Sequence, residues 1–109
     1  MRFSAQRTAL FIPCLVAILG ANTLAQMTGH APKNGFVPNE KTAIAVAEAV
    51  LIPIYGEKQI VSERPFHASL SAKGVWTVTG SLPEGWDGGV AVVCIDRQNG
   101  RILYVMHGK

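Results

Sequence analysis

The sequence predicts an α+β domain in which one helix comes first and packs on a curved antiparallel sheet of about four strands. Three observations carry the prediction. A stretch beginning at Asn39 repeats apolar residues at three- and four-residue spacing, and beyond Gly56 short apolar runs alternate and are parted by turn formers. The helical stretch is also apolar around most of its circumference, so it needs cover on more than one flank.

The chain opens with Arg2 and Arg7, then runs apolar and uncharged from Ala9 to Gly20, and places the small residues Thr23 and Ala25 ahead of Gln26. This order of charged, apolar and small segments reads as a secretory signal peptide over residues 1–25, cleaved near Ala25. An apolar run of about a dozen residues is short against the ~20 that span a bilayer, which argues against a membrane anchor. The formal charge of +3 falls to +1 without Arg2 and Arg7, as eight Lys and Arg then face seven Asp and Glu. No basic stripe is left to hold phosphates, so nucleic acid is excluded as the expected partner. Cys14 leaves with the signal and Cys94 stays alone, so no internal disulfide is available even in an oxidising compartment.

Residues 26–38 contain Gly29, Pro32, Asn34, Gly35 and Pro38 without apolar periodicity and read as a flexible arm, tethered or loosely docked. The folded domain is expected over 39–109. Asn39 is placed to cap the helix and Glu40 to meet the positive end of its dipole. Ile44, Ala47, Leu51 and Ile54 form the expected buried face, widened by Ala43, Val46 and Val50, while Lys41 and Glu48 mark a wet side. Pro53 predicts a last turn that is kinked or already ending before Tyr55-Gly56.

Residues 57–63 are read as a short edge strand. A half-buried strand follows over 66–71, with Phe66, Ala68 and Leu70 on one face, and a stronger one over 75–81, where Val and Thr alternate around a core Trp76. Residues 90–96 are almost wholly apolar and predict a central strand covered on both faces, with Cys94 a buried, inert thiol. Asp96-Arg97-Gln98-Asn99-Gly100 supplies a turn, and 101–107 returns as the last strand.

Catalytic machinery is not visible. His30, His67 and His107 lack ligand spacing, so no metal and no cofactor are expected. Ser69, His67 and Asp87 supply the residue types of a hydrolytic triad, but no strand-to-helix elbow presents the serine. Gly85, Gly88 and Gly89 precede no helix whose free amides could cradle a phosphate. What remains is a surface. The loop 82–89 is longer than a hairpin needs and carries Trp86 between Glu84 and Asp87, which makes these three the candidate partner-binding residues. Two readings of Trp86 stand at this point: a contact for a partner, or a cover for the sheet edge.

The joint order of Ala43 to Glu48, Tyr55-Gly56-Glu57, Glu63-Arg64-Pro65-Phe66 and Trp76 to Pro83 resembles the bacterial immunity-protein family with a nuclear-transport-factor-2-like fold, found with polymorphic toxin systems. The likeness continues through Gly88-Gly89-Val90, Ile95-Asp96, Asn99-Gly100 and His107-Gly108-Lys109, and so covers about residues 42–109. It implies a shortened cystatin-like architecture and an exported, periplasmic or secreted, non-enzymatic protein whose partner is a cognate toxin. No contact residues carry over with it. A helix before an antiparallel sheet, with Trp76-x-Val78 and Ile95-Asp96-x-x-Asn99-Gly100-x-Ile102, also resembles small export-linked modules that inhibit or chaperone peptidases. Both resemblances imply a binder of protein. A third reading, a ligand pocket between helix and sheet, needs converging polar groups that the helix does not offer.

Overall fold

A computed structural model describes residues 29–109; the expected signal peptide lies outside the described residues. Helix α1 spans Glu40–Tyr55, a short helix α2 spans Glu57–Ser62, and four strands follow: β1 His67–Leu70, β2 Val75–Thr79, β3 Ala91–Asp96 and β4 Ile102–His107. The strands lie in chain order in one open antiparallel sheet. Helix first and meander second is the expected α+β architecture. Among the described residues, no helix is long and apolar enough to cross a membrane.

Asn39 caps α1 as its chemistry predicts, its Oδ1 accepting from the Thr42 amide at 2.9 Å and the Thr42 hydroxyl at 2.8 Å. The buried residues of α1 are Ala43, Ala47 and Leu51, with Ile44, Val46, Ile52 and Tyr55 packed at the margin. Two expectations differ at its end: the helix does not stop before Tyr55, and Ile54 is not buried. Helix α1 runs through Pro53 to Tyr55, because the amide that proline lacks would have bonded the carbonyl of Ala49, and both residues face solvent. Ile54 is 55% exposed although its angle suits the buried face, since burial depends on what lies opposite a side chain and not on periodicity alone.

The expected edge strand over 57–63 is helix α2. Gly56, at φ +96°, ends α1 and turns the chain, and Ile60 then fills the core at 0% exposure. A single apolar anchor suffices for a six-residue helix, and the alternation of a strand is not needed to bury it.

Strand β3 alternates cleanly, with Ala91, Val93 and Ile95 fully buried and Val92, Cys94 and Asp96 half-buried. The expectation of cover on both faces is therefore corrected. Helix α1 packs on one face against β1, β2 and β3, and the other face carries Cys94 beside the 55%-exposed Tyr104 and the 38%-exposed Met106. Cys94 is half-buried, with its Sγ 3.8 Å from the Thr77 hydroxyl. A bulge after Cys94 sets Leu103 aside, so that Ile102 and Val105, three apart, both turn toward the core.

Trp76 and Val78 lie in that core, as the alternation predicts. The end of the expected arm is fastened to the domain. Phe36 and Val37 donate their amides to the Gln98 and Arg97 carbonyls at 3.0 Å, and Val37 is 2% exposed. The Trp76 indole N–H donates to the Val37 carbonyl at 2.8 Å, a tertiary partner that no local pattern announces.

Candidate functional site

The site is assembled from the end of α2, the start of β3, the end of β4 and the loop 82–89. Its centre is Glu63, which follows α2 and is 1% exposed. A buried carboxylate persists only if its lone pairs are met. Here Oε1 accepts from the Ala91 amide at 2.7 Å, while Oε2 accepts from the Gln59 side chain at 2.8 Å and meets His107 Nε2 at 2.7 Å. The Glu63 backbone carbonyl accepts from the Ser81 amide at 2.7 Å. One residue thus holds both ends of the loop that connects β2 to β3.

Two glycines make this possible. A Cβ on Gly80 would sit 2.6 Å from Glu63 Oε1, so only glycine lets the carboxylate reach the Ala91 amide. Gly89 lies against the backbone of Gly108, and a side chain there would strike it. The glycines of this loop therefore serve close approach as well as turning.

Burial opposes ionisation of Glu63, but the bonds from Ala91, Gln59 and His107, with the charge of His107, outweigh it and hold the carboxyl below its ordinary value of 4.5. The Glu63 carboxylate, and next the Gly108 carbonyl at 2.7 Å from Nδ1, raise His107 above its ordinary 6.5 against a smaller opposing effect of burial. Each thus favours the charged form of the other. The Tyr55 ring lies 5.1 Å from the His107 ring, centroid to centroid.

Beside this pair is a hollow of about 230 Å³ lined by Gln59, Ser62, Trp86, Asp87, His107 and Lys109, among others. Trp86 is 69% exposed, which rules out the reading in which it covers the sheet edge. It also walls a second hollow with Tyr55, Lys58, Gln59 and Ser62, and so stands between two surface depressions. Of the three residues singled out from sequence, Trp86 and Asp87 line the first hollow; Glu84 is exposed on the same loop but not part of that lining. Glu63, Gln59 and His107 escaped the sequence reading. Gln59 and Glu63 stand at the i, i+4 spacing of a helix, a signal lost when 57–63 is read as a strand, and His107 lies 44 positions beyond Glu63, where no spacing rule reaches.

The triad types do not form a unit. Among the described residues, no hydrogen bond joins Ser69, His67 and Asp87, and His67 and Ser69 lie on the exposed edge strand β1.

A family model described as NTF2 fold immunity protein matches residues 42–109, which take in α1 from its third residue, α2 and all four strands. No curated protein and no solved structure matches.

Proposed function

This chain belongs to the NTF2 fold immunity protein family, and on that premise we propose that it is an exported binding protein that neutralises a cognate bacterial toxin by direct contact. The family match over the whole helix-and-sheet unit carries the reading. Immunity of this kind needs a surface and no covalent chemistry. The loop 82–89 supplies one, with a solvent-facing indole of the kind that dominates interface energetics and two carboxylates, Glu84 and Asp87, to steer a basic partner. Toxins that degrade nucleic acid have reason to be basic, because they must hold phosphates. Export rests on the succession of Arg2 and Arg7, the apolar run and the small residues before Gln26.

The test is protection. Bacteria expressing the toxin from the neighbouring reading frame should survive when this protein is co-expressed, and tagged protein should retain that toxin from an envelope extract. Retention of a secreted peptidase, with no protection, would overturn the reading in favour of a peptidase-directed module. Mass spectrometry of the periplasmic form should give an N-terminus at Gln26, and an intact Met1 start would defeat export with cleavage.

A further inference from the structure

The two edges of the sheet are unlike. Edge strand β1 is four residues long, begins just after Pro65, and its Ala68 amide donates to the Glu40 carboxylate at 3.2 Å. Brevity, a proline and a charge on the outward backbone are what keep an edge from pairing with another chain. Edge strand β4 has none of them. Its six residues, Ile102 to His107, include no proline, glycine, lysine or carboxylate, and the run from Ile102 to Met106 is wholly apolar. Such a run is what a covered strand carries, yet no residue of β4 is buried, and Leu103, Tyr104 and Met106 are exposed.

The outer backbone of β4 is unmet as well. The Gly108 amide donates to the Val90 carbonyl at 3.2 Å and so faces β3. Alternation from there turns Met106 and Tyr104, the partners of Val92 and Cys94, toward β3, and turns the N–H and C=O groups of Val105 and His107 outward. Because β4 ends the strand order, these groups meet no strand among the described residues. A row of alternating donors and acceptors at strand spacing is satisfied by another extended backbone.

The side chains select which one. A basic strand would find no carboxylate on β4 and an acidic strand no lysine or arginine within it, while His107 is already held by Glu63. The match is an apolar, uncharged strand, and β4 is itself such a strand. About a two-fold axis at Met106, Val105 of each copy lies opposite His107 of the other, so every outward group of these two residues is paired. Met106 then meets Met106 on the open face with Tyr104 diagonal to it, a sulfur beside an aromatic ring, and Lys109 faces Leu103 and not a second cation.

We propose that β4 is a dimer edge: two copies of this chain pair their β4 strands antiparallel about that axis and join their sheets into one of eight strands, four from each copy. The pairing is independent of the toxin reading.

Sedimentation equilibrium of the purified protein should show a reversible monomer–dimer equilibrium without higher species, because pairing uses the one bare edge. Hydrogen exchange of the Val105 and His107 amides should slow at least about tenfold as concentration is raised through that equilibrium, while the Met106 amide, bonded to β3, is protected throughout. Met106→Lys and Met106→Glu, each alone, set like charges across the axis on an exposed side chain and should weaken dimerisation about tenfold or more with little change in melting. An equimolar mixture of the two variants should recover a dimer, since opposite charges then meet. A protein that stays monomeric at millimolar concentration overturns the proposal. So does a dimer whose Val105 and His107 amides exchange as fast as in the monomer, as face-to-face packing of the sheets would give, or a mixture of the two variants that stays monomeric.

Discussion

The Glu63 carboxylate and the His107 imidazole, 44 positions apart, meet at 2.7 Å with 2% and 20% of their side chains exposed. The pair ties the end of α2 to the end of β4, and through the Ala91 and Ser81 amides it also fixes the loop that presents Trp86. Stability and the candidate interface therefore share one residue.

Glu63→Ala should destabilise the domain by about 1–3 kcal/mol, because it leaves the buried Ala91 amide without its acceptor and the half-buried His107 without its partner. Denaturant unfolding measures this. Gly80→Ala should move stability in the same direction, since its methyl group would occupy space within 2.6 Å of Glu63 Oε1. A Glu63→Ala variant as stable as the parent would show that the pair contributes nothing net.

The pH dependence has two limbs. Glu63, lowered in the folded state, adds stability that is present above its ordinary 4.5 and is lost as pH falls through the depressed value. His107, raised in the folded state, adds stability that is present below its ordinary 6.5 and is lost as pH rises through the elevated value. The contribution of the pair should therefore be greatest between about 4.5 and 6.5 and fall on both sides. Urea midpoints across pH for the parent and His107→Gln measure this, the variant losing the alkaline limb; identical profiles would contradict it.

Trp86→Ala should leave the melting temperature nearly unchanged, because 69% of the residue is already in water. Partner binding should weaken by about 2 kcal/mol or more if the indole is a contact. Calorimetry of melting and binding on the same preparation separates the effects, and a loss of several degrees with full binding would reverse the assignment.

Trp76→Phe should behave oppositely. Removing the indole N–H leaves the buried Val37 carbonyl without its 2.8 Å donor, at a cost of about 1–3 kcal/mol. Hydrogen exchange at the Phe36 and Val37 amides should accelerate as their attachment to the Arg97-Gln98 turn loosens. Unchanged exchange there would mean that the indole does not hold the segment.

Cys94 should react with a thiol reagent in the native state at a rate below that of the unfolded chain but readily measured, as a half-buried side chain on the open sheet face requires. Cys94→Ala should cost less than about 1 kcal/mol, there being no enclosed cavity to leave. Complete protection of the native thiol would place a cover over that face.

Local chemistry in the sequence determined the N-cap at Asn39, the wide apolar surface of α1, the alternation that buries Trp76 and Val78, and the turn at residues 96–100. Each depends on neighbours within about four positions, where backbone geometry fixes which side chains share a face. It also exposed loop 82–89 as a surface feature, and with it Trp86 and Asp87. Only the tertiary structure decided that residues 57–62 coil, that one face of β3 stays open beside Cys94, and that Ile54 faces water, because each depends on what the rest of the chain brings opposite. The same holds for Glu63: a carboxylate read alone belongs on the surface, and it is buried here because Ala91, Gln59 and His107, brought together only by folding, replace the water that it gives up.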